Sequence, residues 1–435
     1  MSNRVSPRRP SGFPEYLPAE QLAFQKLLTT IRTSYEAAGF GPIETPALEL
    51  AEVLLAKGGG ETEQEVFRFG KGSKDYVLHY DLTVPLARFV AEHQNDLAFP
   101  FRRSQIQKVW RAERAQKGRA REFYQCDADV VGEADVAVDG EMIALAASTM
   151  RALAVGDFVI RVNNRKILTG LYESLGVAEK ATGLLRIIDK LEKIGEASVK
   201  ELLSKEGLDK AQIATLLKTA ELRGSVSAVT AELQKLASGN SQLVTGLEEL
   251  ERAIAAAMAS GVKESELEID CSIARGLDYY TSTVFETLLT DLPELGSVCS
   301  GGRFDDLAQY YTDRALPGVG ISIGLTRLFD GLRDAGKLDL ATQTPSRVII
   351  VPMMDEAWEL AGQLATSLRD AGIACELVMA ETKLPKVFAR ADKLAVPYVA
   401  VIGEKELAAG TVALKDLRSG DQTEVDLALV LDRVR

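Results

Sequence analysis

The sequence predicts a mixed α+β protein whose strand-rich domain is split by a helical insertion and followed by a small α/β domain. Three observations predict it. Strand-period alternation with embedded glycines occurs at 107–131, 274–286, 299–306 and 318–324. Between them, residues 166–260 turn to Leu, Ala, Glu and Lys at helical spacing with little strand signal. Beyond a polar linker, residues 346–435 alternate strand and helix. The expected boundaries are 1–165 and 261–336 for the two halves of the core, 166–260 for the insertion, 337–345 for the linker and 346–435 for the last domain.

In chain order, residues 1–18 are rich in proline and read as an irregular arm. Leu22, Leu27, Leu28, Ile31 and Tyr35 follow helical spacing over 19–38, and Gly39 stands where a helix-ending glycine belongs. The segment 40–49 reads as a strand interrupted by Pro42 and Pro46, which places it at an edge. Such an edge could pair with its own copy about a two-fold axis or simply face water. Short strands are expected at 66–69 and 76–80, and Asp81-Leu82-Thr83-Val84-Pro85 opens a helix through residue 91. Simple N-capping accounts for Asp81 and Thr83 on that reading.

Strands at 107–112 and 122–131 form a hairpin with a long charged tip, and Asp127 and Asp129 share one face of the second strand. A helix over 141–153 and a strand over 158–162 complete the first half. Within the insertion, 178–194, 198–205, 209–219 and 225–236 read as short helices. The stretch 318–324 is a glycine-punctuated strand leading into a helix with Arg327, and its glycines would let a planar ligand lie on the sheet. The last domain has strands at 348–351, 374–378 and 398–402, helices at 355–371 and 386–394, and a hairpin about Gly420.

Composition narrows the function. The chain has 435 residues, 46% hydrophobic and 26% charged, as in ordinary globular proteins. No apolar run approaches the ~20 residues of a membrane span, and the polar start lacks a signal-peptide core, so the expected location is cytoplasmic with no membrane partner. Four scattered cysteines and two histidines argue against a protein-built metal centre. A net charge of −12 argues against nucleic acid binding over the whole surface. One basic run is the exception: Arg102, Arg103, Lys108, Arg111, Arg114, Lys117, Arg119 and Arg121 stand against the single acid Glu113. Most such runs are solvated faces, but this one holds Trp110 and Gly118 and is followed by Phe123, which suits phosphates and a stacked base.

The stretch 274–286 is the densest in polar chemistry. Arg275-Gly276 reads as a turn entering a strand, with Asp278, Tyr280 and Ser282 on one face and Leu277, Tyr279 and Thr281 on the other. A core-filling hairpin is the ordinary meaning of aromatics at strand spacing. Ser300, Gly301 and Gly302, with Arg303 and Asp305 beside them as charged partners, favour a polar pocket.

These two stretches resemble the histidine-site signatures of the histidyl-tRNA synthetases, a class II aminoacyl-tRNA synthetase family. Residues 111–123 resemble class II motif 2, 18–49 motif 1 and 318–327 motif 3. The resemblance covers nearly the whole chain. It implies an antiparallel sheet flanked by helices, a homodimer, and an anticodon-binding C-terminal domain. It also implies histidine, ATP with Mg2+, and histidine tRNA as the bound partners. On it, Arg111 and Arg275 stabilise charge at the α-phosphate, Arg121 and Arg327 meet the γ-phosphate, and Phe123 stacks on adenine beside Glu113. Asp81 and Thr83 hold the ammonium group, while Gln125, Asp129, Tyr279 and Tyr280 surround the substrate side chain with Arg275 nearby. The related regulatory subunit of ATP phosphoribosyltransferase, which binds histidine without charging tRNA, is the alternative.

Some positions depart from the family pattern. Asp81 and Asp129 stand where glutamate is also found, Ser300 where glycine or alanine is usual and Phe304 where tyrosine is usual. Ala115 and Ala120 replace the usual proline and tyrosine of the motif 2 loop.

Overall fold

The computed structural model describes residues 5–56, 65–114, 118–188, 190–237, 239–273, 279–378 and 383–435. The chain divides into two units, one of residues 1–14 and 27–337 and the other of 15–26 and 338–435.

Among the described residues of the first unit, nine strands form one sheet. They are β1 (Gly41–Pro42), β2 (Phe101–Trp110), β3 (Glu122–Val131), β4 (Phe158–Asn164), β5 (Arg223–Gly224), β6 (Leu267–Asp270), β7 (Thr283–Leu289), β8 (Cys299–Phe304) and β9 (Gly318–Gly324). Their order is β1-β2-β3-β9-β8-β7-β4-β6-β5, antiparallel from β2 through β4. Register in this central part aligns side chains in rows across the strands, and those rows build the site described below.

Helix α1 (Pro18–Ala37) ends as expected, with Gly39 at φ +83° and the Phe40 N–H turned back on Tyr35 O. Tyr35 is fully buried and its hydroxyl donates to Cys126 O at 2.9 Å, fixing this end of the helix beneath β3. The anticipated strand over 40–49 is instead two pieces, because prolines cannot donate to a ladder. Gly41–Pro42 pairs in parallel with β2 as the last strand of its sheet, and Leu48–Leu50 joins a separate sheet with Lys74–Leu78 and Arg68–Lys71. Strand β2 starts six residues before the expected position 107, since Arg102 and Arg103 hide the strand alternation from a pattern search. The strand anticipated to follow Arg275-Gly276 begins only at Thr283, so Tyr279 and Tyr280 stand on irregular chain above the sheet.

Helices α2 (Thr83–Glu92) and α3 (Ala137–Leu153) pack against this sheet. The helix Ser241–Ala259 crosses α3 closely at Gly140, where a Cβ would stand 2.3 Å from Ala253 O. In the 166–260 region the anticipated 178–194 helix is broken. A 3₁₀ turn Ala178–Lys180 precedes Ala181–Ile188, and Leu191–Lys205 is interrupted by Gly195 at φ +79°. Leu184, Ile188, Val199, Leu203 and Leu216 close a separate small core there.

In the second unit, Cys375–Leu377, Val348–Pro352 and Tyr398–Ile402 pair in parallel, and Thr411–Asp416 and Gln422–Asp426 extend the sheet antiparallel. Alternation along Val348–Pro352 buries both faces. Val348 and Ile350 meet Ala361, Leu364 and Leu368 of helix Trp358–Asp370, and Ile349 and Val351 meet Val387 and Ala391 of helix Leu384–Lys393. None of the described helices in either unit is long and apolar enough to cross a membrane.

Candidate active site

A cavity of about 390 Å3 opens on one face of the central sheet. Its floor follows from pairing arithmetic. Odd-numbered residues of β3 face it, so Phe123, Gln125, Asp127 and Asp129 line it in sequence. Register places Gly324, Ser322 and Gly320 of β9 beside the last three, and Ser300 of β8 next to Ser322. The Gln125 amide donates to Ser322 Oγ at 2.7 Å, which fixes its orientation.

The glycines of this floor do something other than the sequence suggested. They make room for the protein's own side chains rather than a flat ligand at every position. A Cβ on Gly320 would lie 2.0 Å from Asp129 Oδ1, and one on Gly302 would lie 2.8 Å from the Tyr280 ring. Only Gly324 is open in the expected sense, its nearest neighbour being the Arg327 Cβ at 3.9 Å.

One wall comes from the turn entering α2. Asp81 Oδ1 accepts from the Val84 N–H at 3.2 Å, the capping role read from sequence, while Oδ2 faces the Tyr279 hydroxyl at 3.4 Å. Tyr279 packs edge-on against Tyr280 and Phe304. Phe304 thus supports the Tyr279 ring by packing.

The bases of the lining come from the hairpin and from the helix after β9. Arg111 donates to Tyr80 O at 3.2 Å and its guanidinium lies 5.2 Å from the centre of the Phe123 ring. Glu113 pairs with Arg119 at 3.2 Å. Arg327, from helix α4 (Leu325–Asp334), donates to Ser297 O and Gly118 O, and so joins the hairpin to the turn before β8.

Of the residues singled out from sequence, Asp81, Thr83, Arg111, Glu113, Phe123, Gln125, Asp129, Tyr279, Tyr280 and Arg327 all line this cavity. Arg275 lies outside the described residues. Arg121 is not in the lining: its Nε donates to Glu113 O at 2.8 Å and its N–H to Gly12 O of the N-terminal arm. Arg303 is a correction. It points to the far side of the sheet, paired with Asp139 at 2.6 Å, and Asp305 accepts from Thr281 Oγ1, so neither is a charged partner of the cavity. The parity of β8, which places Ser300 on the cavity face, places Arg303 on the other. Asp127 also lines the cavity, a place for which the strand face it shares with Asp129 is the sequence signal.

Three buried carboxyls meet here, so the electrostatics are unusual. Burial pushes Asp81 up to about 7, against the opposing effects of the Val84 N–H and Arg111. Asp127 and Asp129 are also raised by burial, with the Arg103 guanidinium the largest opposing influence. Tyr280 is raised by burial and by these acids, so its hydroxyl is protonated and free to donate. An Asp carboxyl near 3.9 when unfolded and about 7 when folded keeps its proton only in the folded chain between those values. Stability of the ligand-free protein should therefore fall as pH rises from about 4 through about 7. Asp81→Asn should flatten this dependence and raise the thermal midpoint at pH 8. An unchanged slope between pH 5 and pH 8 would show that Asp81 is not the group responsible.

Residues 12–328 match the family model described as histidyl-tRNA synthetase, and residues 347–435 match that of an anticodon binding domain. A histidine–tRNA ligase of Clostridium tetani is 46% identical over 97% of both chains. One of Stenotrophomonas maltophilia is 45% identical, covering 97% of this chain and 96% of its own. The crystal structure of histidyl-tRNA synthetase from a Nostoc species superposes with a TM-score of 0.90 at 42% identity, covering 99% of each chain. A Bacillus halodurans structure described as an ATP phosphoribosyltransferase regulatory subunit/histidyl-tRNA synthetase shares the fold at 22% identity and a TM-score of 0.75. With the acid-floored cavity, the basic hairpin and the C-terminal α/β unit all lying within matched segments, the chain belongs to the histidyl-tRNA synthetase family.

Proposed function

We propose that this chain ligates histidine to its tRNA through a histidyl-adenylate, acting as a cytoplasmic homodimer. The observation that carries the reading is the make-up of one cavity, whose lining joins buried carboxyls and tyrosine hydroxyls to Arg111 and Arg327. An amino acid bearing an ammonium and an imidazole fits the acids and hydroxyls, and a triphosphate fits the bases.

Asp81 and Thr83 receive the ammonium group, and Gln125, Asp129, Tyr279 and Tyr280 surround the imidazole. Phe123 stacks on adenine with Glu113 beside it. The histidine carboxylate attacks the α-phosphorus of ATP, a carboxylate oxygen–phosphorus bond forms, and the bond to pyrophosphate breaks. Arg111, with Arg275 from the sequence, neutralises charge gathering on the α-phosphate oxygens. Arg327 faces the terminal phosphates. A hydroxyl of the terminal ribose of tRNA then attacks the acyl carbonyl, and its ester forms as the bond to AMP breaks. Among the described residues no three His, Cys, Asp or Glu side chains are grouped for a metal ion. Asp330 and Glu113 in the lining suit a Mg2+ carried chiefly by the nucleotide phosphates, where it would neutralise their charge. The second unit would read the anticodon.

Pyrophosphate exchange measured with each amino acid in turn tests the reading. Exchange is expected with histidine alone. Exchange dependent on another amino acid would refute it, and histidine binding without exchange would favour the regulatory-subunit alternative.

A further inference from the structure

One charged side chain of the basic run has no access to any ligand. Arg103 is fully buried, yet it stands in the same row as the cavity floor. Register pairs Arg103 of β2 with Asp129 of β3, Asp129 with Gly320 of β9, and Gly320 with Gly302 of β8. Antiparallel partners share a face, so these residues form one line across four strands. At its start, Arg103 Nη2 lies 2.8 Å from Asp129 Oδ2 and donates at 3.3 Å to Leu82 O, while Nη1 donates to Gln105 Oε1 at 3.1 Å. At its far side Asp129 Oδ1 leans over Gly320, in space that any side chain there would fill.

Two consequences follow from this geometry. The Asp129 carboxylate is held between a guanidinium and a bare Cα, leaving it one orientation. The same guanidinium reaches the Leu82 carbonyl, which lies between Asp81 and Thr83. It therefore ties the imidazole side of the cavity to the ammonium side. We propose that Arg103 is a positioning residue for amino-acid recognition, seating Asp129 with the help of Gly320 and fixing its distance from the Asp81–Thr83 turn. This rests on the cavity being the histidine pocket.

A merely structural arginine would affect both substrates alike, and a positioning one separates them. Arg103→Gln should raise the KM for histidine about 30-fold in pyrophosphate exchange, a cost of the order expected when a buried carboxyl loses its ion-pair partner, with the KM for ATP changed less than about 3-fold. Arg103→Lys should recover most of the loss. The groups facing Asp129 are Arg103, Asp127, Asp81 and Tyr280, with Arg111 and Tyr35 close to Asp127. Removing the cation among them strengthens proton binding at the acids. The acid limb of kcat/KM for histidine should accordingly move to higher pH in Arg103→Gln and return in Arg103→Lys.

Gly320→Ala leaves Arg103 intact and crowds the other oxygen, so it should give the same histidine-specific rise and decides the matter even if Arg103→Gln does not fold. Equal losses for histidine and ATP in either folded variant would overturn the proposal. So would an unaltered histidine KM in Gly320→Ala. A wild-type protein that exchanges only with another amino acid would instead remove the functional reading and leave the seating of Asp129 untouched.

Discussion

Arg111→Ala is expected to lower the turnover of histidine-dependent pyrophosphate exchange about 1,000-fold, or ~4 kcal/mol of transition-state stabilisation, while scarcely changing the thermal midpoint. The split follows from what Arg111 touches. It is half-buried, among the described residues donates to one carbonyl, and lies over the Phe123 ring, so the fold gains little from it. Its charge already acts on the Asp81 and Asp127 carboxyls, and on the proposed function it faces the attacked phosphate. A cation aimed at that point interacts more strongly with the transition state than with bound ATP, and its loss appears in kcat rather than KM. Phe123→Ala should do the reverse, raising the KM for ATP with a smaller effect on kcat, because stacking is made equally in both states. A loss of stability in Arg111→Ala as large as its loss of rate would show a packing role instead. Arg275→Ala belongs with Arg111→Ala in direction, and should spare tRNA binding.

How far the sequence disclosed this site depends on strand parity. Parity alone puts Asp129 on one face with Asp127, Phe123 stands out as the aromatic after the basic run, and Gln125 is named by the resemblance; the regular ten-residue strand brings all of them to one side. The same rule applied to β8 places Arg303 away from Ser300, against the pairing that its proximity to Gly301 and Gly302 suggests. Arg121 precedes the strand, where parity no longer governs, and its guanidinium folds back on a carbonyl. Arg103 was legible only as one base among eight. Whether an arginine is solvated or buried against carboxylates depends on hairpin register and on what covers it: Arg103 meets Asp129 of the adjacent β3 and the Leu82 carbonyl of the turn before α2, contacts that a run of bases does not disclose. In the insertion, helix periodicity is readable and the interruption at Gly195 falls in the gap between the expected helices 178–194 and 198–205, whereas the division of the first of these into Ala178–Lys180, Ala181–Ile188 and a new start at Leu191 carries no signal in its spacing.

The far side of the same sheet supplies the second large effect. Arg303 and Asp139 are both buried, and Arg303 gives Asp139 hydrogen bonds from Nε and Nη2 while also donating to Glu133 O and Asp135 O. One side chain thus fixes β8 to the start of α3 and to the loop before it. Arg303→Met should cost about 3–5 kcal/mol, because it strands a buried carboxyl and two carbonyls rather than removing a favourable pair cleanly. Burial already raises Asp139 against the effect of Arg303, and loss of the guanidinium raises it further. A folded carboxyl raised above its unfolded value is destabilising at higher pH, so the deficit should be larger at pH 8 than at pH 5. Replacing both partners, as Arg303→Met with Asp139→Leu, should recover much of the loss, since neither charge is then stranded. Exchange activity of folded Arg303→Met should stay within about 3-fold of the parent, because the residue lies across the sheet from the cavity. Urea unfolding at the two pH values separates these expectations from a purely steric effect, which would give the same deficit at both and no recovery in the double variant. A pair that sequence proximity would assign to the ligand thus belongs to the scaffold, and Arg103, one of a run read as a surface for phosphates, belongs to the recognition of the amino acid.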